Sequence, residues 1–264
     1  MKKLSKITES IWGKVLDRGA GDTVRKENKI FTNEELKNRI QKLYKEQGEG
    51  ETLDVSSLTN FICDDFSNIF RGFKKVKHII GLEDWDVSHV EDMHSMFMGC
   101  TNFNSDLSKW DVSRVEDMGG MFWGCEKFNS DLSNWDVSSV NNMISMFNGC
   151  KNFNSDLSNW TVGKVTIMYH MFEDCWNFNS DLSKLDVSNV EDMCSMFYNC
   201  KKFNSDLSNW NVRKVEDMNN MFWGCENFNS DLSKWNVSNV KNMYDMFDGC
   251  NSLKNKPFWY KNEY

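Results

Sequence analysis

Nine cysteines are the residues of this 264-residue chain best suited to chemistry. A thiolate can attack a substrate, bind zinc or pair in a disulfide. Seven of the nine recur every 25 residues, as Cys100, Cys125, Cys150, Cys175, Cys200, Cys225 and Cys250. If the repeats stack, equivalent side chains lie parallel and about 5 Å apart, which suits a disulfide poorly. No C-x-x-C pair favours zinc. We therefore expect buried, reduced thiols that fill a core.

Six aspartates form a second candidate set, each directly after an Asn-Ser pair. They are Asp106, Asp131, Asp156, Asp181, Asp206 and Asp231. Stacked carboxylates repel one another, so calcium between repeats is one interpretation. In the other, each Asp caps its own turn and the asparagines form a ladder that satisfies backbone groups. The glycine-rich nonapeptide of calcium-binding β-rolls is absent, which favours the second interpretation, with no metal and no cofactor.

No pattern in the chain predicts an enzyme. The four histidines fall at unrelated positions of the repeat, and none lies at metal-ligand spacing from another. The phosphate-binding G-x-x-x-x-G-K-[ST], the nucleophile motif G-x-S-x-G and the zinc motif H-E-x-x-H are all missing. We therefore expect a non-catalytic protein.

The element that must position these residues is a 25-residue repeat. Tryptophan recurs at 25-residue spacing from Trp85 to Trp235, with Leu185 in the one missing slot. The unit reads W-[DN]-V-S-x-V-x-x-M-x-x-M-F-x-x-C-x-x-F-N-S-D-L-S-x, and seven copies fill residues 85–259. Spacing without insertions is what a stacked solenoid requires, because each coil must lie in register on the next. We predict a degenerate capping coil at 51–84, an N-terminal helical segment at 1–50 and a tail at 260–264.

Two motifs carry a resemblance to a known family. They are Met96-Phe97-Met98-Gly99-Cys100 and the stretch from Phe103 to Ser113, F-N-S-D-L-S-K-W-D-V-S. The repeats resemble the BspA-type leucine-rich-repeat family of bacterial surface proteins, over about two thirds of the chain. The resemblance implies a leucine-rich-repeat-like solenoid that serves adhesion or partner binding at a cell surface, without catalysis.

Each coil is expected to hold one short parallel strand and one short helical turn. Trp110 and Val112 alternate as a half-buried strand does, which predicts a strand over 107–113. Met118, Met121 and Phe122 fall at i, i+3 and i+4, which predicts a helical or 3₁₀ turn over 118–125. The methionine and phenylalanine columns, meaning equivalent positions of successive coils, are expected to fill the core.

The variable columns are the candidate ligand-binding positions, because fixed columns build the scaffold. Exposed aromatic side chains are favoured at recognition surfaces for proteins and sugars. The candidates are Trp123, Tyr169, Trp176, Tyr198, Trp223 and Tyr244. The alternative is that these aromatics only cover the ends of the core.

The N-terminal segment differs from the repeats in charge and periodicity. Thr32-Asn33-Glu34-Glu35 is a capping box that predicts a helix to about Gln47, with Gly48 as its stop. Upstream, the apolar residues Ile11, Trp12, Val15 and Leu16 suit docking onto a larger assembly, or capping of the solenoid. The segment is also faintly similar to N-terminal segments of bacteriophage structural proteins.

Charge and hydropathy restrict the partners. Residues 1–80 carry 16 basic and 12 acidic residues, whereas residues 81–264 carry 15 and 27, a net charge of −12. We expect no nucleic-acid partner, because the acidic part repels a polyanion. No apolar run is long enough to span a membrane, and the N-terminus does not resemble a signal peptide.

These observations predict a binding or adhesion module for a protein or glycan, held by its N-terminus in a larger assembly. We expect synthesis in the cytoplasm and a final place on a virion or a cell surface. The alternative is an intracellular protein–protein scaffold.

Overall fold

The computed structural model describes residues 29–261. Its regular elements lie at the N-terminal end, in the order β1 (Lys29–Ile30), α1 (Asn33–Glu46), β2 (Thr52–Asp54), β3 (Phe61–Ile62) and β4 (His78–Ile80). Strand β1 pairs in parallel with β3, and β2 pairs in parallel with β4. Among the described residues, no helix is long and apolar enough to cross a membrane.

Helix α1 begins and ends where the sequence predicts. The Thr32 hydroxyl accepts a hydrogen bond from the backbone N–H of Glu35, and the Glu35 carboxylate accepts one from the backbone N–H of Thr32. Leu36 and Ile40 are fully buried, and the Tyr44 ring stacks on Phe73 with 4.5 Å between ring centroids. The helix therefore covers the first end of the repeat core.

The 25-residue units lie one on another through parallel bridges between equivalent residues. Six single-residue bridges are present, Asp65 with Asp92, Asp92 with Asp117, Asp117 with Asn142, Ile167 with Asp192, Asp192 with Asp217, and Asp217 with Asn242. The first of them joins the degenerate stretch before Trp85 to the first full repeat. The described chain is thus a repeat structure with one helix and only short parallel pairings.

Backbone hydrogen bonds between coils concentrate in residues 117–124 and their equivalents, which we call the ladder segment. The N–H groups of Met118, Gly120, Phe122 and Gly124 donate to the carbonyls of Asn142, Ile144, Met146 and Asn148 in the next coil, at 2.7–3.0 Å. The intervening N–H groups of Met121, Trp123 and Cys125 donate to carbonyls three residues earlier in their own coil. Alternate residues therefore bond along the stack and within the coil.

The helical turn expected over 118–125 is absent, and the prediction was wrong. Gly120 and Gly124 have φ values of +59° and +74°, in the left-handed region that interrupts a right-handed helix. Ser95, Ser145 and other non-glycine residues adopt the same conformation at the first of these positions. The segment is a run of turns, not a helix, and its cost in backbone strain is offset by bonds to both neighbouring coils.

The strand expected over 107–113 is also absent. This stretch consists of two successive turns, in which the backbone N–H of Ser108 donates to the Asp106 carboxylate and that of Ser113 to the Asp111 carboxylate. Trp110 and Val112 are nevertheless buried, as predicted. Side chains replace the strand ladder here, since the Trp110 indole N–H donates to the Leu82 carbonyl of the previous coil, at 3.2 Å.

Two columns of stacked aromatic rings fill the core. Equivalent rings of the Phe97 column lie 5.6–5.8 Å apart from coil to coil, and those of the Phe103 column 5.9–6.1 Å apart. Within a coil the two rings are only 4.0–4.2 Å apart. Both methionine columns are buried beside them, apart from the half-buried Met243. The core columns are confirmed as core.

Candidate binding surface

The six aromatic candidates all lie on or just after the ladder segment. Tyr169 and Tyr244 share one column, and Trp123, Tyr198 and Trp223 share a second, four residues further along the coil. Trp123 and Tyr244 are 43% and 56% exposed, whereas Tyr198 and Trp223 are half-buried. The structure therefore groups the candidates along one edge of the stack and does not gather them into one pocket.

Tyr198 and Trp223 form the closest pair. Their rings stack with centroids 4.6 Å apart and an interplanar angle of 8°. Burial, together with the negative charges of Asp174 and Glu173, raises the pKa of the Tyr198 hydroxyl. Trp123 lies four coils from Trp223, roughly 20 Å away at the usual spacing of paired strands. The pair and Trp123 are thus separate contact points.

Trp176 lies between two lysines. The ammonium nitrogens of Lys151 and Lys201 are 4.9 and 5.3 Å from the centre of its ring. Its indole N–H donates to the Asp174 carboxylate at 3.3 Å. Lys151 also pairs with Glu126 at 2.8 Å. Both ammonium groups are close enough for cation–π contacts with the Trp176 ring, which stays 39% exposed.

The column cysteines donate hydrogen bonds along the stack. Each thiol lies 2.9–3.0 Å from the carbonyl oxygen of a phenylalanine in the preceding coil, as Cys125 does with Phe97. Burial raises the pKa of Cys100 and of Cys250 to about 12, and it raises the pKa of the five thiols between them well above the ordinary value. All nine cysteines are free thiols. The column cysteines are core thiols, as the sequence predicts, and their raised pKa makes them poor nucleophiles.

Comparison with known proteins identifies the repeat. Residues 64–184 and 166–260 each match a family described as Mycoplasma protein of unknown function, DUF285, and together they span about three quarters of the chain. The chain belongs to the DUF285 family. No curated protein and no solved structure matches it. The two overlapping matches agree with the internal repetition of the sequence.

The asparagine ladder predicted for the DUF285 repeats is present. The backbone N–H of each ladder asparagine after Asn104 donates to the side-chain oxygen of the equivalent asparagine one coil earlier, as Asn129 does to Asn104 at 2.8 Å. The aspartates that follow cap their own turns, as predicted. Each accepts from a serine N–H two residues later, as Asp131 does from Ser133 at 2.9 Å. Among residues 29–261, no group of three or more His, Cys, Asp or Glu side chains is arranged to hold a metal ion.

The serine between them has a role that sequence reasoning missed. In each repeat its hydroxyl oxygen accepts a bond from a backbone N–H of the previous coil, as Ser130 does from Leu107, at 2.8–3.0 Å across the column. The signal was available, because a serine at a fixed position between exposed Asn and Asp must face inward if the backbone is extended. The docking candidates Ile11, Trp12, Val15 and Leu16 lie outside the described residues.

Proposed function

We propose that this DUF285 protein is a BspA-type, leucine-rich-repeat-like solenoid that acts as a non-enzymatic binding or adhesion module for a protein or glycan. The observation that carries the proposal is the set of aromatic side chains at variable positions of the ladder segment, above all the stacked pair Tyr198–Trp223. Aromatic anchors held on a rigid frame bind with a small loss of conformational entropy.

The ladder segment supports this function because it fixes the anchors. Trp123 donates its backbone N–H within its coil and accepts a bond from Gly99 of the previous coil, at 2.6 Å. Trp223 is bonded in the same way, to Asn220 and Asn199. The backbone beneath each anchor is therefore tied on both sides. The chemistry of the thiols also favours binding over catalysis, since buried thiols of raised pKa are poor nucleophiles.

Loss of the anchors should weaken binding without unfolding the protein. We expect Trp123→Ala combined with Trp223→Ala to lower affinity for a bound protein or glycan at least about tenfold, which is the loss of about 1.4 kcal/mol of binding free energy. The stability cost should stay at a few kcal/mol, because the one aromatic stack is worth about 1 kcal/mol and the partial burial of each ring adds roughly the same amount. Binding is measured on glycan and host-protein arrays, and stability by thermal unfolding.

Phe258→Ala is the matched control, because Phe258 is 84% exposed and lies outside the repeats' ladder segments. It should leave both binding and stability unchanged. Unchanged binding in the double tryptophan variant would contradict a role for these anchors. Collapse of its fold would instead assign the two residues to the core.

Attachment to a larger assembly, such as a phage particle or a cell surface, is the second part of the proposal. Helix α1 covers the core, so we assign the docking role to residues 1–28, which lie outside the described residues. A chain lacking 1–28 should keep its thermal stability and lose its association with particles or envelopes, as measured by mass spectrometry of fractions from the native source. A purely cytosolic full-length chain would instead favour an intracellular scaffold.

A further inference from the structure

A shallow groove of about 850 Å³ runs along the stack on a different part of each coil from the aromatic candidates. Its walls are two exposed columns, two residues apart in the chain. One belongs to the asparagine ladder (Asn104 to Asn229), of which Asn104, Asn129, Asn154 and Asn179 line the groove, and the other holds Lys127, Asn152, Asn177, Lys202 and Asn227. We call it the amide groove.

The first wall presents side-chain hydrogen-bond donors. The side-chain oxygen of Asn129 accepts the backbone N–H of Asn154, at 2.8 Å, and the same bond recurs along the ladder. Each amide orientation is thereby fixed, since an oxygen must face the N–H group. The amide nitrogen of each ladder asparagine points to solvent and has no protein partner among the described residues. The result is a row of N–H donors about 5 Å apart.

The second wall adds donors and excludes one class of ligand. Lys127 and Lys202 make no ion pair with any described residue and lie three coils apart, with the Asn152 and Asn177 amides between them. The backbone N–H groups of Asn152 and Asn177 donate to the carbonyls of Glu126 and Lys151 in the preceding coils, at 3.2 Å each. A peptide therefore cannot add as a strand here, because the backbone groups are already paired.

A row of exposed carboxylates follows the asparagine wall, two residues further along each coil. The aspartate of each Asn-Ser-Asp triplet is exposed on the same side as the asparagine, because the serine between them points inward. The backbone N–H of Ser133 holds the pKa of the Asp131 carboxyl below its ordinary value, and the same holds for Asp106, Asp181, Asp206 and Asp231. Six carboxylates outnumber the two lysines, so the face repels a polyanion such as nucleic acid or a polyuronate.

We propose that the amide groove binds a linear, neutral, hydroxyl-rich polysaccharide that lies along the stack with one sugar unit on each coil. A hydroxyl accepts from an asparagine N–H and donates to the second oxygen of the neighbouring aspartate, so donor and acceptor columns are both used. A pyranose unit in an extended chain advances by a distance close to the spacing of the coils. This proposal rests on the proposed binding function. It places the ligand on a different face of the stack from the aromatic candidates, and it specifies the class of ligand.

The test variant removes side-chain N–H donors of the asparagine ladder and keeps the hydrogen bonds that join its coils. In Asn154→Asp with Asn179→Asp, the carboxylate still accepts the N–H of the next coil, but the outward N–H groups are gone. We expect at least about a tenfold loss of affinity for neutral oligosaccharides, measured by calorimetry with β-linked glucan, mannan and galactan fragments of increasing length. For the unchanged protein, affinity should rise with length until the four ladder positions that line the groove are occupied.

Asn134→Asp with Asn159→Asp is the matched control, since it adds the same charge at exposed positions outside the groove. It should bind oligosaccharides like the unchanged protein. Loss of oligosaccharide binding in Trp123→Ala with Trp223→Ala, but not in the asparagine variant, would overturn the groove and leave the proposed function standing. Stronger binding of a polyuronate or an oligonucleotide would overturn the ligand class. Binding of a purified host protein and of no oligosaccharide would overturn the glycan proposal while supporting a protein-binding module.

Discussion

Raising the pH from about 8 to about 10 is expected to remove most of the stability of the repeats. The seven column thiols stay neutral in the folded protein, because burial raises the pKa of Cys100 and Cys250 to about 12 and that of the five between them well above the ordinary value. In the unfolded chain they ionise near the ordinary value of 9.0. Above that pH the unfolded state releases protons that the folded state keeps, so stability falls as pH rises.

The expected size follows from the number of thiols. Each contributes roughly 1.4 kcal/mol per pH unit above its unfolded pKa. Seven together lower the free energy of unfolding by roughly 10 kcal/mol at about pH 10, which is comparable with the whole stability of a typical domain. Below about pH 8 these thiols give no pH dependence. Urea unfolding under reducing conditions, followed by circular dichroism at several pH values, measures the effect.

Serine variants isolate the thiols from the lysines and tyrosines that also titrate at high pH. In Cys150→Ser with Cys175→Ser, each hydroxyl can still donate to the phenylalanine carbonyl of the previous coil, and it does not ionise in this range. The slope of unfolding free energy against pH should fall by about two sevenths. A slope that did not change would show that other groups cause the alkaline loss.

Deleting one residue should damage the protein more than deleting twenty-five. Removal of residues 135–159 joins Asn134 to Trp160 and takes out one whole coil, so every column continues in register. Removal of Ser145 alone leaves the ladder segment one residue short. Alternate N–H groups then point away from their acceptors, and Met146 and Phe147 turn out of the core. Burial of one large side chain is worth about 1.5–3 kcal/mol, so this shift costs several kcal/mol.

Cooperative urea unfolding and limited proteolysis distinguish the two chains. The chain lacking 135–159 should unfold in one transition at a slightly lower urea concentration, because one nearest-neighbour interface is lost. The chain lacking Ser145 should be cut by protease within the coil that begins at Trp135. Equal stability of the two chains would contradict the idea that the register of the ladder segment determines the stability of the fold.

Sequence reasoning found the residues of the core but not the path of its backbone. Met118, Met121 and Phe122 were correctly placed inside, because a helical turn and the observed run of turns both bring these spacings to one side. The left-handed backbone conformation at the Gly120 position could not be predicted. Ser95, His170 and Asn220 adopt it at the equivalent positions of other coils, and these residue types share no preference for it. The bonds between coils, not local propensity, hold them there.

The surface was predictable where a column was uniform. The asparagine ladder and the aspartate turns follow from six repeated triplets. The surroundings of Trp176 depend on Lys151 and Lys201, which are each 25 residues away, so they emerge only when neighbouring coils are read side by side. The amide groove could not be predicted from the sequence, because the side-chain oxygen and the N–H donors of each asparagine become distinguishable only from the hydrogen bonds between coils.

The ladder segment makes the protein mechanically weak in one direction. Its hydrogen bonds run from coil to coil, so tension applied along the stack loads successive interfaces in series and opens the weakest first. Each coil that opens releases 25 residues, which can extend by roughly 80 Å. A chain held at one end and pulled at the other would thus lengthen in steps and dissipate mechanical energy. Tension across the stack is shared among all the coils and meets far greater resistance.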